Sequence, residues 1–209
     1  MSAIAFDSGP QVGGRPPAPA PVSLVQAFAN SFFELGEHWR DPIPTRGRDL
    51  LATPEGLERW LRERGLLAPG RRVRSSDHRR ALDLREGIRA LAFANNGEQP
   101  TPDALRGLSR AGGRPGVVVE FGPDGRGWLA PTGRDVAGAL SFIAGLVFQS
   151  MADGSWGRMK ACPGKDCGWV FYDRSRNRAG SWCSMAACGG RAKARAYRRR
   201  RSDLSVTVD

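Results

Sequence analysis

The chain of 209 residues contains four cysteines, and all of them fall between Cys162 and Cys188 as two equally spaced pairs. Cys162 and Cys167 make one C-x4-C step and Cys183 and Cys188 the other, with fifteen residues between the pairs. Two close pairs joined by a loop can bring four sulfurs to the corners of a tetrahedron. A closed structural zinc site requires that arrangement, at Zn–S distances of about 2.3 Å. Pro163 and Gly164 supply a sharp turn inside the first pair, and Gly189 and Gly190 follow the second. The competing reading is two disulfides, or four unrelated buried thiols. Disulfides suit secreted chains, and the N-terminus has Pro and Gly where a signal peptide would carry an apolar run. The two histidines, His38 and His78, lie far upstream. The expected ligand set is therefore Cys162, Cys167, Cys183 and Cys188 around one zinc. Such a site has no open position, so the ion is structural and supplies folding energy to a loop too small for a core of its own.

The charge is concentrated on the same stretch. Residues 158–201 carry 13 Lys/Arg against two acids, whereas residues 1–157 balance 19 basic against 17 acidic side chains. Nearly all of the formal +11 thus sits on the cysteine module. A zinc with four thiolates subtracts about two units and leaves the module strongly basic.

The run from Cys162 through Cys167-Gly-Trp-Val-Phe-Tyr-Asp173 to Asn177, then Trp182-Cys183-Ser-Met-Ala-Ala-Cys188-Gly-Gly-Arg191, resembles the CGNR zinc-finger family. These are bacterial proteins, common in actinobacteria, regarded as stress-related transcription regulators. The resemblance is close over about 158–201 and weaker over about 22–150, which is similar to the family's N-terminal mixed domain. The sequence departs from the family in the name motif itself, where Gly190 stands in place of the Asn. A cap or ligand contact made by that Asn side chain is missing here, while the four metal positions are unaffected.

A pI near 10.8 points to a polyanionic partner, nucleic acid or an anionic membrane surface. The basic segment alternates with Ala rather than with large apolar residues, which favours nucleic acid. No apolar run reaches the roughly 18 residues a membrane span needs. Reduced cysteines and metal use suit a cytoplasmic protein associated with the nucleoid.

The elements that must position the module follow from periodicity and caps. Residues 1–22, rich in Pro and Gly, read as a disordered leader. Residues 23–152 read as a mostly helical domain with one hairpin. Leu24, Val25, Phe28, Phe32 and Leu35 recur at helical spacing over 24–35, with Asn30 as a satisfied core polar group. Thr53-Pro54-Glu55 and Thr101-Pro102-Asp103 are two helix starts. The longest helix is expected from Ser76 to about Asn95, where Asn96-Gly97 ends it. Its Arg79, Arg80, Arg85 and Arg89 interleave with Asp77, Asp83 and Glu86 as a solvated ion-pair face. Val117–Phe121, a Pro-Asp-Gly turn and Trp128-Leu129 signal a hairpin covering the helical core. Asp135 caps an apolar helix to about Met151, either central to its domain or facing a partner subunit. Residues 152–155 are a linker, 157–201 the zinc module, and 202–209 a tail.

Inside the module, Trp169–Tyr172 reads as a strand and Arg174–Gly180 as a basic loop. Arg191–Arg201 reads as a basic helix anchored by the metal. The fold class is therefore α+β: a helical domain with a hairpin, then a small four-cysteine zinc-ribbon-like module ending in a basic helix. On that helix Arg191, Arg195, Arg198 and Arg199 share one face, with Lys193, Arg200 and Tyr197 at the side. Arg174, Arg176 and Arg178 form a second candidate contact set. A helix fits the DNA major groove, where Arg reads guanine, although most contacts go to phosphate. Phe171 and Trp182 are expected in the small core over the metal. Trp169 and Tyr172 are open between that core and stacking on bases. Asp173 is expected to pair with a neighbouring Arg.

No catalytic constellation stands out, so an enzyme is not expected. The leading expectation is a DNA-binding transcription regulator whose N-terminal domain senses a small effector or forms a homodimer. The alternative is an RNA-binding or ribosome-associated zinc-ribbon protein.

Overall fold

A computed structural model describes residues 4–9, 11–32, 49–113, 115–165 and 167–206. In chain order they form α1 (Val22–Ala29), α2 (Pro54–Glu63), α3 (Ser75–Ala94), α4 (Pro102–Gly112), β1 (Val117–Phe121), β2 (Gly127–Pro131), α5 (Val136–Ala152), β3 (Met159–Ala161), β4 (Val170–Tyr172) and α6 (Gly190–Val206). The architecture is α+β, with two antiparallel hairpins, β1–β2 and β3–β4.

Among the described residues, three α-helix starts carry side-chain caps that satisfy otherwise orphaned N–H groups. Thr53 accepts from Gly56 N (3.1 Å), Thr101 from Ala104 N (3.3 Å) and Asp135 from Gly138 N (2.8 Å). The apolar helix α5 packs against α1, α3, α4 and the β1–β2 hairpin, which places it at the centre of the domain. In the core around it Phe28, Leu57, Leu61, Leu84 and Ile88 are fully buried, as are its own Leu140 and Ile143. Phe28 meets Trp60 edge-on at 5.3 Å. Burying each such side chain contributes about 1.5–3 kcal/mol.

The structure departs from the sequence expectations in three places. The leader, read as disordered, packs along the fold: Ile4 and Phe6 lie on the main core, Ala18 is buried, and Ala5 N donates to Arg64 O (3.2 Å). Its few apolar residues find surfaces on both parts of the protein, which a composition argument does not register. The first helix stops at Ala29 rather than running to Leu35. Asn30 caps it through its backbone N–H, and Phe32 instead bridges Asp49; Leu35 lies outside the described residues. On α3, Arg80 pairs with Asp77 (3.3 Å) and Glu86 pairs with Arg85 (2.9 Å) and Arg89 (3.5 Å), but the face is not solvated: Arg80 and Asp77 are half-buried, and Arg85 and Arg89 turn inward. Arg85 grips the Asp49 carboxylate with two bonds (2.6 and 3.0 Å), and Arg89 donates to Ala29 O (3.1 Å) and Phe32 O (3.3 Å). Buried guanidiniums are stable there because their donors are satisfied by a carboxylate and by carbonyls left over at the end of α1.

Candidate metal centre

The backbone of each cysteine pair forms a tight turn that aims both sulfurs one way. In the first, Cys167 N donates to Gly164 O (2.9 Å), Gly168 N to Cys162 O (3.2 Å) and Cys162 N to Trp169 O (3.0 Å). Gly164 is required by close approach, since a Cβ there would stand 2.8 Å from Cys188 Sγ. In the second, Ser184 Oγ accepts from Ala187 N (3.3 Å) and opens a π-helical turn, Met185–Gly189. That turn runs directly into α6, so Cys188 sits where the basic helix begins.

The four Sγ atoms lie within 4.8 Å of one another, all buried, with Cys167 and Cys183 sulfurs 3.6 Å apart. A zinc–thiolate tetrahedron with 2.3 Å bonds has sulfur–sulfur edges of about 3.8 Å, so the set fits one ion. Four soft sulfur donors with no carboxylate or water position select zinc in a closed site. None of the four is in a disulfide. Mutual sulfur hydrogen bonds push the Cys167 and Cys183 thiols up and hold Cys162 and Cys188 down. Arg191 adds to this by donating to Cys188 Sγ (3.2 Å), a charge-assisted contact to the ligand sulfur.

Over the sulfurs lies a small core of Val12, Trp169 and Phe171, with Trp182 packed at its side. Trp169 is 3% exposed and Phe171 1%. The question left open by the sequence is thus answered for Trp169 by burial, and Tyr172 packs on the main core beneath Arg174. Among the described residues Asp173 pairs with no arginine: its partner is Lys160 (3.1 Å), on β3, and both are buried. Ser175 N (2.9 Å) and Gly180 N (2.8 Å) also donate to this carboxylate. Burial alone would lift its pKa, but the bonds from Ser175, Lys160 and Gly180 outweigh burial and hold it below the usual range. The acid fixes the basic loop from within.

The module is joined to the helical domain by amide side chains. Asn30 bonds both backbone groups of Val170. Asn95 Nδ2 donates to Trp156 O and Met159 O (both 2.8 Å), and Asn96 Nδ2 to Ala161 O (3.0 Å) and Ser181 O (2.8 Å). Val170 and Met159 belong to the main core. Sequence reasoning found Asn96 only as a helix terminator and missed this joint; the consecutive Asn95-Asn96 at a helix end was the available signal.

Of the basic residues, Arg174 donates to Pro17 O (2.7 Å) and Arg191 is turned to the metal centre. Arg176, Arg178, Lys193, Arg198, Arg199 and Arg200 are exposed, and Arg195 is half-buried. Arg178 has a left-handed backbone (φ 53°), and its carbonyl accepts from Lys160 Nζ. Gly190 has helical angles (φ −61°, ψ −44°), and a Cβ there would meet Met185 O at 3.3 Å. An Asn at that position would fit after a small shift.

Fold and site together define a zinc-finger protein in which a helical domain carries a four-cysteine module. The profile of the CGNR zinc finger matches residues 158–201, and that of a domain described as "ABATE: Putative stress-induced transcription regulator" matches residues 12–154. The second match spans well over half of the chain, which therefore belongs to this family. It begins at Val12, within the segment that packs on the metal core. No curated protein matches the chain. Among the described residues, no helix is long and apolar enough to cross a membrane.

Proposed function

We propose that this chain is a zinc-dependent, DNA-binding transcription regulator of the cytoplasm, associated with the nucleoid. In this reading residues 157–201 form the DNA-contacting unit. Residues 23–152 form the unit that senses a small effector or pairs with a second copy. Contacts come from α6, through Lys193, Arg195, Arg198, Arg199 and Arg200, and from the loop residues Arg174, Arg176 and Arg178. The observation that carries the reading is the position of Cys188: the last metal ligand lies in the turn from which α6 starts, so the metal fixes where the arginines point. A helix of 17 residues is about 25 Å long, enough to lie in the major groove. Burial of Trp169 and Phe171 removes two of the ring faces that single-stranded binding would use, which favours duplex DNA over RNA.

The test is a selection of bound sequences from a random duplex pool by zinc-loaded protein, with single-stranded RNA as competitor. The reading expects a preferred duplex sequence, lost on zinc removal. With six to eight phosphate contacts, log affinity falls against log salt with a slope of about −5 to −7. Preference for single-stranded RNA over every duplex would contradict it.

A further inference from the structure

A cavity of about 410 Å³ lies between the N-terminal strap (residues 4–9 and 11–15), the β1–β2 hairpin and α5. Ile4 and Phe6 form one wall, Trp128 and Phe142 others, and Arg134 and Glu120 are its charged groups. Its size is within the range of small-molecule sites, and such sites combine apolar walls with a few placed polar groups. Arg134 is fixed by donation from its Nε to Gly65 O (2.8 Å), and no carboxylate is in ion-pair distance of it among the described residues. By contrast, Arg62 and Arg72, in the wider polar cavity on the other side of Arg134, are both paired with Glu58 (2.6 and 3.1 Å). Glu120 is exposed, so its charge is screened by water, whereas Arg134 is half-buried.

We infer that this cavity binds a mono- or bicyclic aromatic carboxylate, its charge on Arg134 and its ring against Trp128, Ile4 and Phe6. A planar guanidinium with an unused donor edge matches a carboxylate. This names the effector class for the sensing role proposed above and rests on that reading. The strap gives the site a physical connection to the metal module. Beyond Phe6 it reaches Gln11, whose Oε1 accepts from Gln26 Nε2 (2.7 Å). It continues to Val12, buried in the core over the sulfurs, and to Arg15, which donates to Trp182 O (3.0 Å). A ligand held against Ile4 and Phe6 therefore orders the same segment that touches the zinc core.

The test is calorimetric titration of the zinc-loaded full-length chain with 2-naphthoate, together with amide exchange at Ala5, whose N–H bonds Arg64 O. Saturable one-site binding with Kd below about 1 mM, and slower Ala5 exchange in the complex, are expected. Arg134→Met should weaken binding about tenfold or more, and neutral 2-naphthalenemethanol should bind about tenfold more weakly than the acid. An Ile4→Ser, Phe6→Ser double variant should weaken it similarly with zinc content unchanged. If Arg134→Met fails to fold, the neutral ligand and the double variant decide. No saturable heat with the wild type, or equal affinity for acid and alcohol, overturns the proposal. Because no DNA is present, these outcomes are independent of whether α6 binds a duplex.

Discussion

Asn30 on α1 takes the place of a neighbouring strand for Val170 on β4: its Nδ2 donates to Val170 O and its Oδ1 accepts from Val170 N, both at 2.8 Å. The strand that leaves the first cysteine pair is thereby hydrogen-bonded into the helical domain, and Val170 is fully buried in that domain's core. Zinc module and helical domain are one packed body at this joint, so what orders the first is felt by the second.

Replacing Asn30 tests the joint. In Asn30→Ala the Val170 carbonyl keeps a donor, Gln26 Nε2 at 3.2 Å, but the Val170 N–H is left buried without a partner. One such orphan costs about 1–3 kcal/mol, to be read from urea unfolding of the zinc-loaded protein. Asn30→Asp should cost more, because it sets a buried carboxylate against the Val170 carbonyl.

The buried Lys160–Asp173 pair predicts a pH signature. Asp173 has its pKa depressed on folding, so its stabilising contribution is complete above the unfolded value of about 3.9 and fades as pH falls through the lower folded value. Asp173→Asn should therefore be less stable than wild type at neutral pH, with the gap narrowing below about pH 4. Urea unfolding of both zinc-loaded proteins across pH, with zinc content measured at each point, reads this gap over the range in which both retain the metal. Lys160→Met, which strands the carboxylate, should cost about 3–5 kcal/mol at pH 7.

How much of this was legible beforehand depends on the range of the interaction. The four cysteines, the Thr53, Thr101 and Asp135 caps and the β1–β2 hairpin are local signals, and each is where the sequence put it. What was missed joins residues far apart in the chain: Asn30 to Val170, Arg85 to Asp49, Asn96 to Ser181, Arg15 to Trp182. A buried arginine and a solvated one have the same spacing along a helix, so Arg85 was read as surface. The leader failed for a related reason. Its composition is that of unordered chain, but Val12 finds an apolar seat among Trp169, Phe171 and the four cysteines.

Gly164 should not tolerate a side chain. A methyl group would press on Cys188 Sγ from 2.8 Å, with the Cys188 Cβ only 3.2 Å away. Gly164→Ala is predicted to lower zinc affinity by about tenfold or more, measured by competition with a chromophoric chelator. Gly190→Asn, by comparison, should leave zinc affinity within about threefold of wild type, because its backbone is helical and its nearest neighbour is 3.3 Å away.

On α6, Arg195→Ala with Arg199→Ala should weaken duplex binding without loss of helix or zinc. If both residues contact phosphate, the log–log salt slope becomes shallower by roughly 1.8. Anisotropy titrations at several salt concentrations give that slope. An unchanged slope and affinity would move the DNA contacts elsewhere on the protein.

The account rests on one ion ordering the four sulfurs and the helix behind them, and metal analysis paired with thiol titration tests it directly. Protein purified under reducing conditions should hold one zinc per chain, with all four thiols unreactive until a chelator is added. Cys167→Ser should hold none and should lose order over residues 158–201 by circular dichroism. A folded wild-type chain free of zinc, or one whose cysteines are joined pairwise as disulfides, would contradict it.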